Sequence, residues 1–483
     1  MAVAYAARYL AHPALPGNEY KLGWWGWFDQ SKFLQSAQAF ARLDFHPAQH
    51  WYPLGYSLLG APFALRLGSH PFFFIDLAAL LLALAGFVAV AQLEGFAPLW
   101  GVLIFVLATC GDGFAFNQWV IPWNTTPVAA CLWLLLAVSA VILDGSFRRT
   151  VPARFALGLL AGITPLFRPT EAVLVLPCLA AVLIHDLRLG RFAWRNWTVT
   201  AGAGLLPVLF YAAIYLRIYG PHPTDYMLNS RDIGFTLHDL GWKAYVILVD
   251  PQPWFLDGTG LLKRMPWIAL AFAGLMPALL RGRLSALLAI MLILHAVLYL
   301  SYVDMLPTGL WRYNNVHYWS WAFPAYGLLA AALLRDLVRP VTAARRIVAG
   351  ASLAVTVLLG CVHLDPVPAD EGAPAKMLTF SGGDPGFEQT YFAPLALRDA
   401  SGELDNIRDM RAFPVPFGMR LIALRRDVRG ETNWVADHAP PGPIAQVPGH
   451  RWAVGVRLGR PCWVPRMRCA RTINDQLPPV PGL

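Results

Sequence analysis

Apolar runs follow one another almost end to end from Met1 to His363, and polar positions collect mainly in the connections between them. A helix that crosses a bilayer core needs about 20 mostly apolar residues, because its backbone polar groups must be satisfied within the segment. On that criterion the predicted spans are 71–92, 97–111, 124–143, 155–168, 171–186, 198–217, 266–280, 284–303, 319–336 and 346–363. Residues 1–15 are an eleventh candidate, either a short anchor or part of a longer first helix. They lack the charged start, compact apolar core and small-residue cleavage site of a signal peptide. The pattern predicts a polytopic α-helical membrane protein with about 11 transmembrane helices in residues 1–363.

Two segments depart from this pattern. Within the first polar loop, 16–70, Phe33, Leu34, Ala37, Phe40 and Ala41 share one helical face between Ser31 and Leu43. Lys32, Gln35, Gln38 and Arg42 fall largely elsewhere, so the spacing predicts an amphipathic helix lying along the membrane interface. A second short helix is predicted from about Leu54 to Leu67, and Trp24, Trp25, Trp27, Trp51 and Tyr52 suit the headgroup level. After His363 the composition changes. Residues 364–483 hold no spanning run but many Pro and Gly, with alternating stretches such as MRLIALRR and RWAVGVRL. These predict the strands of a small, mostly-β soluble domain.

Composition agrees with the membrane class: 57% of the residues are hydrophobic and 14% charged, too few charges for a soluble protein of 483 residues. Lys and Arg in short loops favour the cytoplasm. One set of connections carries Arg148, Arg149 and Arg154; Arg188, Arg191 and Arg195; Arg281 and Arg283; and Arg335, Arg339, Arg345 and Arg346. It alternates with 111–123, the bend at Arg168, the loop 218–265 and the loop 304–318, which are less basic for their length. The alternation holds throughout if 16–70 and the tail 364–483 lie outside, so the large polar segments are predicted to share the extracytoplasmic face. The net charge of +9 then reflects arginines facing anionic headgroups, and no nucleic-acid partner is needed to explain it. Cys110, Cys131, Cys178 and Cys361 read as small buried hydrophobes, Cys462 and Cys469 could pair in an oxidising compartment, and no spacing suggests zinc.

Asp29 stands just ahead of the predicted interfacial helix. A cap for the helix start is one reading, and it is compatible with a chemical role, because a cap holds the carboxylate in one orientation. A carboxylate after the first membrane helix, then an interfacial helix, then YPLGYSLLGAPF resembles the GT-C superfamily of membrane glycosyltransferases. Within it the chain is similar to the polyprenyl-phosphate-sugar enzymes, such as protein O-mannosyltransferases and aminoarabinose transferases of lipid A. Their pattern is an acidic pair with an aromatic four residues on, then a Tyr-Pro-Pro-Gly-like stretch. Asp29 and Phe33 match the first part, with Gln30 in place of the second acid; Tyr52, Pro53, Leu54 and Gly55 match the second, with Leu54 in place of Pro. In GLLAGITPLFRPTEAVLVLP, residues 158–177, Arg168-Pro169 matches the family's Arg-Pro at an external turn.

The resemblance implies sugar transfer from a polyprenyl-phosphate donor to a cell-envelope glycan, lipid or protein, with inversion, at the extracytoplasmic face of a bacterial inner membrane. Such a reaction needs a carboxylate to take the acceptor's proton or orient the acceptor, and cations against the leaving phosphate. Asp29 is the candidate base and Asp112, in GDGFAFNQWVIPWNTTP, a second acidic candidate or a turn residue between glycines. The expected phosphate ligands are Arg312, His317 and Arg168, since an arginine fork suits phosphate oxygens. Tyr52, Trp311, Tyr313 and Asn315 are expected against the sugar or prenyl chain. Simpler readings stand beside these: an interfacial aromatic belt with a snorkelling arginine over 311–321, a structural Arg168–Glu171 pair, and a packing role for His295. No protein metal site is indicated, and a divalent cation is possible but not indicated. Two other classes remain open at this level: a transporter or flippase for a lipid-linked glycan, which would show paired half-protein repeats, and a noncatalytic envelope-assembly protein.

Overall fold

In the computed structural model the described residues are 1–11, 24, 28–68, 70–145, 150–188, 194–235, 237, 240–249, 251, 259–302, 305, 315–338 and 342–361, with the strand segments 376–381, 388–393, 420–425 and 432–435. They divide into two units. The first comprises Met1–Asp232, Trp267–Ala296 and Val316–Thr356; the second comprises Ile233–Pro266, Val297–Asn315 and Val357–Leu483.

The chain opens with α1 (Ala2–Leu10), α2 (Phe28–Ala41), α3 (Leu54–Leu67), α4 (Phe73–Leu93), α5 (Pro98–Cys110) and α6 (Gly113–Val120). It continues with α7 (Thr125–Asp144), α8 (Thr150–Phe167), α9 (Ala172–Arg188), α10 (Trp194–Tyr219) and α11 (Asp225–Ile233). After α12 (Leu240–Leu248) and α13 (Leu261–Arg264) come α14 (Ile268–Arg281), α15 (Arg283–Ser301), α16 (Ala322–Val338) and α17 (Ala343–Cys361). Among the described residues, five helical runs are long and apolar enough to cross a membrane: Phe73–Leu93, Thr125–Asp144, Pro169–Arg188, Trp194–Tyr219 and Arg283–Ser301. These are the crossing helices of a membrane protein. A sixth crossing arises if α5 and α6, bent by 92°, act together. The expectation of eleven was larger, because Val151–Phe167 and Ile268–Arg281 are apolar but short, and α1 has only nine residues.

Small residues let these helices approach closely, which is how helices associate where lipid is as apolar as a leucine side chain. A Cβ on Gly158 of α8 would lie 1.9 Å from the Thr200 carbonyl oxygen of α10, and one on Gly162 2.2 Å from the Gly204 oxygen. Gly86 of α4 meets the Trp133 backbone of α7, and Gly274 of α14 meets that of Leu329 in α16. Phe87, Phe105 and Trp133 fill the core between α4, α5 and α7.

The predicted interfacial helices form close to their expected bounds. α2 ends with Leu43 at φ 57°, while Asp44 N–H donates to the Ala39 carbonyl and Leu43 N–H to that of Phe40. This is a Schellman ending in which leucine occupies the left-handed position that usually takes glycine. The following turn is fixed by buried His50. Its Nε2 faces the Asp44 carbonyl at 3.0 Å and its Nδ1 faces Ser36 Oγ at 2.8 Å. A carbonyl can only accept, so Nε2 carries the proton and Nδ1 accepts from the serine. Tyr219 O–H donates to the His50 carbonyl, tying the loop to the end of α10.

At the opposite helix ends the basic connections gather. Arg154 pairs with Asp186 at 2.7 Å, and Trp197 donates to the same carboxylate at 3.0 Å. Arg281 and Arg345 share Asp336 at 2.6 and 3.3 Å. Ser285 donates to the Glu94 carboxylate, and Arg335 to the Glu94 carbonyl. Residues Arg148, Arg149, Arg191 and Arg339 lie outside the described residues.

In the second unit Lys243 Nζ donates to the Tyr302 carbonyl at 2.7 Å. The strands β1 (Lys376–Ser381), β2 (Glu388–Ala393), β3 (Arg420–Arg425) and β4 (Thr432–Val435) pair antiparallel in the order β2-β1-β3-β4. RWAVGVRL and both tail cysteines lie outside the described residues.

Candidate active site

α2 begins at Phe28, so Asp29 stands in its first turn rather than ahead of it, where free N–H groups favour a carboxylate. The carboxylate is half-buried, and Tyr52 O–H donates to Asp29 Oδ1 at 2.5 Å. Tyr52 is clamped between Phe33 of α2, 4.8 Å away, and Tyr226 of α11, 5.0 Å away. Burial pushes the Asp29 carboxyl above the usual carboxylate range; the Tyr52 hydrogen bond and the Arg168 charge act against that. Burial, and then the Asp29 charge, push the Tyr52 phenol upward, so it remains the donor.

Arg168, at the bend between α8 and α9, is the cation that faces this carboxylate. Its guanidinium carbon lies 4.1 Å from the ring centre of Tyr318, and Nη1 donates to Asn124 Oδ1 at 3.4 Å. Its Nε is 3.8 Å from Glu171, so the expected local pair exists as a loose contact within a wider set of partners. Asn124 is buried ahead of α7 and donates through Nδ2 to the Phe167 carbonyl at 3.0 Å, which locks the bend to α7.

The 3-10 turn Asn315–Trp319 completes the group. His317 is buried and stacks on Trp123 with ring centres 3.9 Å apart and planes within 2°. His295 of α15 meets the Tyr318 carbonyl through Nε2 at 3.0 Å and packs edge-on to Trp319 and Trp321, a supporting position beneath this turn. The structure therefore brings Asp29, Tyr52, Arg168 and His317 into one neighbourhood at one pole of the first unit. Trp311, Arg312 and Tyr313 lie outside the described residues, as does the side chain of Asn315.

Asp112 Oδ1 accepts from the N–H groups of Phe114 and Ala115 at 3.0 and 2.9 Å, so it caps α6 where the chain turns by 92°. Asn124, Trp123 and Tyr318 of the site were not singled out from the sequence, and Gln30, which stands in place of the family's second acid, is buried. Gln30 Nε2 donates to the Pro122 carbonyl at 3.1 Å. Among the described residues Gln30 Oε1, Trp123 Nε1 and Thr170 Oγ1 are buried without a partner. The only sequence signal for Asn124 was its polarity between a tryptophan and an apolar run. Asp76, buried in α4, was also missed; it accepts from Tyr56 O–H at 2.8 Å. No group of three His, Cys, Asp or Glu that could hold a metal ion occurs among the described residues.

The chain is similar to solved structures of two membrane glycosyltransferases. One is ArnT from Cupriavidus metallidurans bound to undecaprenyl phosphate, with 15% identity and a TM-score of 0.46 over 74% of this chain and 63% of that one. The other is the oligosaccharyltransferase AglB from Archaeoglobus fulgidus, in complex with an inhibitory peptide and a dolichol-phosphate, with 13% identity and a TM-score of 0.39 over 74% and 53%. Both are GT-C glycosyltransferases, the family that the sequence resembles. The chain spans less than two thirds of the length of either. No protein-family model matches the chain, and no curated protein does.

Proposed function

We propose that this chain is an inverting glycosyltransferase that moves a hexosyl or pentosyl unit from a polyprenyl-phosphate donor to a hydroxyl of a cell-envelope glycan, lipid or protein. The observation that carries the reading is the convergence of Asp29, Tyr52 and Arg168 from three separate elements. It provides an oriented carboxylate with raised basicity and a cation held nearby. The acceptor hydroxyl gives its proton to Asp29 as its oxygen bonds to the anomeric carbon. The bond from that carbon to the phosphate oxygen breaks, and its electron pair leaves on the polyprenyl phosphate. A single displacement inverts the anomeric centre. Arg168, together with Arg312 and His317, stabilises the charge that the phosphate gains. Tyr52, Trp311, Tyr313 and Asn315 line the sugar and prenyl chain. Asp112, the cap of α6, is the second acidic candidate for the proton transfer.

Under this proposal the arginine-rich pole faces the cytoplasm, as positive-inside asymmetry favours. Asp29 then works at the extracytoplasmic face of a bacterial inner membrane. The spans total about eleven, and 364–483 is a small, mostly-β soluble domain outside the cytoplasm. The reading is tested by sugar transfer in reconstituted membranes, from extracted polyprenyl-phosphate sugars to envelope acceptors. We expect transfer by the wild type and none by a normally folded Asp29→Asn variant. Equal transfer by both removes Asp29 from the chemistry. Movement of the donor lipid across the bilayer without transfer points to the flippase class instead.

A further inference from the structure

We infer that a groove between α9 and α15, at the pole opposite Asp29, holds an acyl chain of an anionic phospholipid whose phosphate is bound by Arg188 and Arg283. The groove encloses about 530 Å³, and Leu143 of α7 lines it. Its walls are apolar: Pro177, Ala181 and Ile184 from α9, and Leu287 and Ile290 from α15. Ile184 and Ile290 are exposed, so the slot is open along its outer side. From Pro177 to Arg188 the helix advances about 16 Å. That is close to half of a hydrocarbon core about 30 Å thick, the depth of one leaflet.

The mouth of the groove carries His185, Arg188 and Arg283. Arg283 Nη1 lies 2.8 Å from His185 Nδ1. A guanidinium only donates, so this nitrogen accepts and carries no proton. Three other arginines of this pole are matched by carboxylates: Arg154 by Asp186, and Arg281 and Arg345 by Asp336. Among the described residues neither Arg188 nor Arg283 has such a partner. The nearby acids do not supply one. Asp186 is held by Arg154 and Trp197, and Asp144, beside Leu143, pairs with neither arginine.

Two uncompensated cations above an apolar slot one leaflet deep match a phosphodiester joined to acyl chains. A free phosphate would leave the slot unused, and a zwitterionic headgroup would bring its own ammonium against the arginines. This inference does not depend on the proposed transfer reaction.

The test uses the full chain in detergent, incubated with phosphatidylglycerol or phosphatidylcholine and followed by native mass spectrometry and thermal unfolding. Phosphatidylglycerol should remain bound and raise Tm, and phosphatidylcholine should do neither. The double variant Arg188→Gln, Arg283→Gln should bind phosphatidylglycerol about tenfold more weakly, with the lipid-free Tm unchanged because both side chains are exposed. Ala181→Phe, which fills the slot without altering charge, should weaken binding similarly. Equal retention of both lipids by the wild type, or undiminished phosphatidylglycerol binding in both variants, overturns the inference. So does the same Tm shift with inorganic phosphate alone, or tighter binding of undecaprenyl phosphate lost in the same variants, which would give the groove to the carrier lipid.

Discussion

At the scale of single residues, the site turns on how a half-buried carboxylate is kept both basic and oriented. Desolvation raises the proton affinity of Asp29, and the Tyr52 hydrogen bond and the Arg168 charge limit the rise. Under the proposed function Asp29 is the general base, and these opposing effects both bear on its proton affinity. Replacing Tyr52 by Phe removes a donor that favours the ionised form. The pH midpoint of transfer should then move upward, because the carboxyl holds its proton to higher pH, and the rate should fall about 10- to 100-fold. A transfer assay across pH checks both effects. A lower rate with an unmoved midpoint would mean that Tyr52 only packs against substrate.

At the scale of elements, the packing of α8 on α10 determines where Arg168 can stand. α8 ends one residue before Arg168, and its approach to α10 depends on the absence of side chains at Gly158 and Gly162. In Gly158→Leu the new Cβ would meet a backbone carbonyl, which cannot rotate away, so the helices must part. The expected loss is about 1–3 kcal/mol, read as a lower Tm in detergent, with weakened transfer because Arg168 is displaced. The same substitution at Gly202, where a Cβ would meet nothing within 4 Å, should leave Tm nearly unchanged and serves as the control.

At the scale of the first unit, the two poles differ in charge chemistry. One pole gathers Arg154, Arg281 and Arg345 with Asp186 and Asp336, and the other gathers Asp29, Tyr52, Arg168 and His317. Helices α7, α9 and α16 each run from the second pole to the first, so the polarity is built into their direction. Cysteines placed at exposed Asp225 and Asp144 should therefore label with a membrane-impermeant maleimide from opposite sides. Under the proposed orientation Asp225→Cys is the one reached from outside. Labelling of both from one side would break the two-pole arrangement.

The sequence by itself determined what depends on local periodicity and charge. The bounds of α2 and α3 follow from apolar spacing and turn chemistry. The basic helix ends follow from arginines that cannot sit in hydrocarbon, and the membrane class follows from the length of the apolar runs. It also picked out Asp29, Tyr52, Arg168 and His317 as residue types suited to the proposed reaction, and the structure brings these four into one neighbourhood. It offered a turn role for Asp112 as one of two readings, but it could not tell that Asn124 and Tyr318 would hold the Arg168 guanidinium, or how closely α8 would approach α10. Those outcomes depend on helix crossings between segments far apart in the chain. Only the tertiary structure decided them, because a crossing angle and a close approach at glycine are properties of two packed surfaces, and neither run of residues carries that information alone.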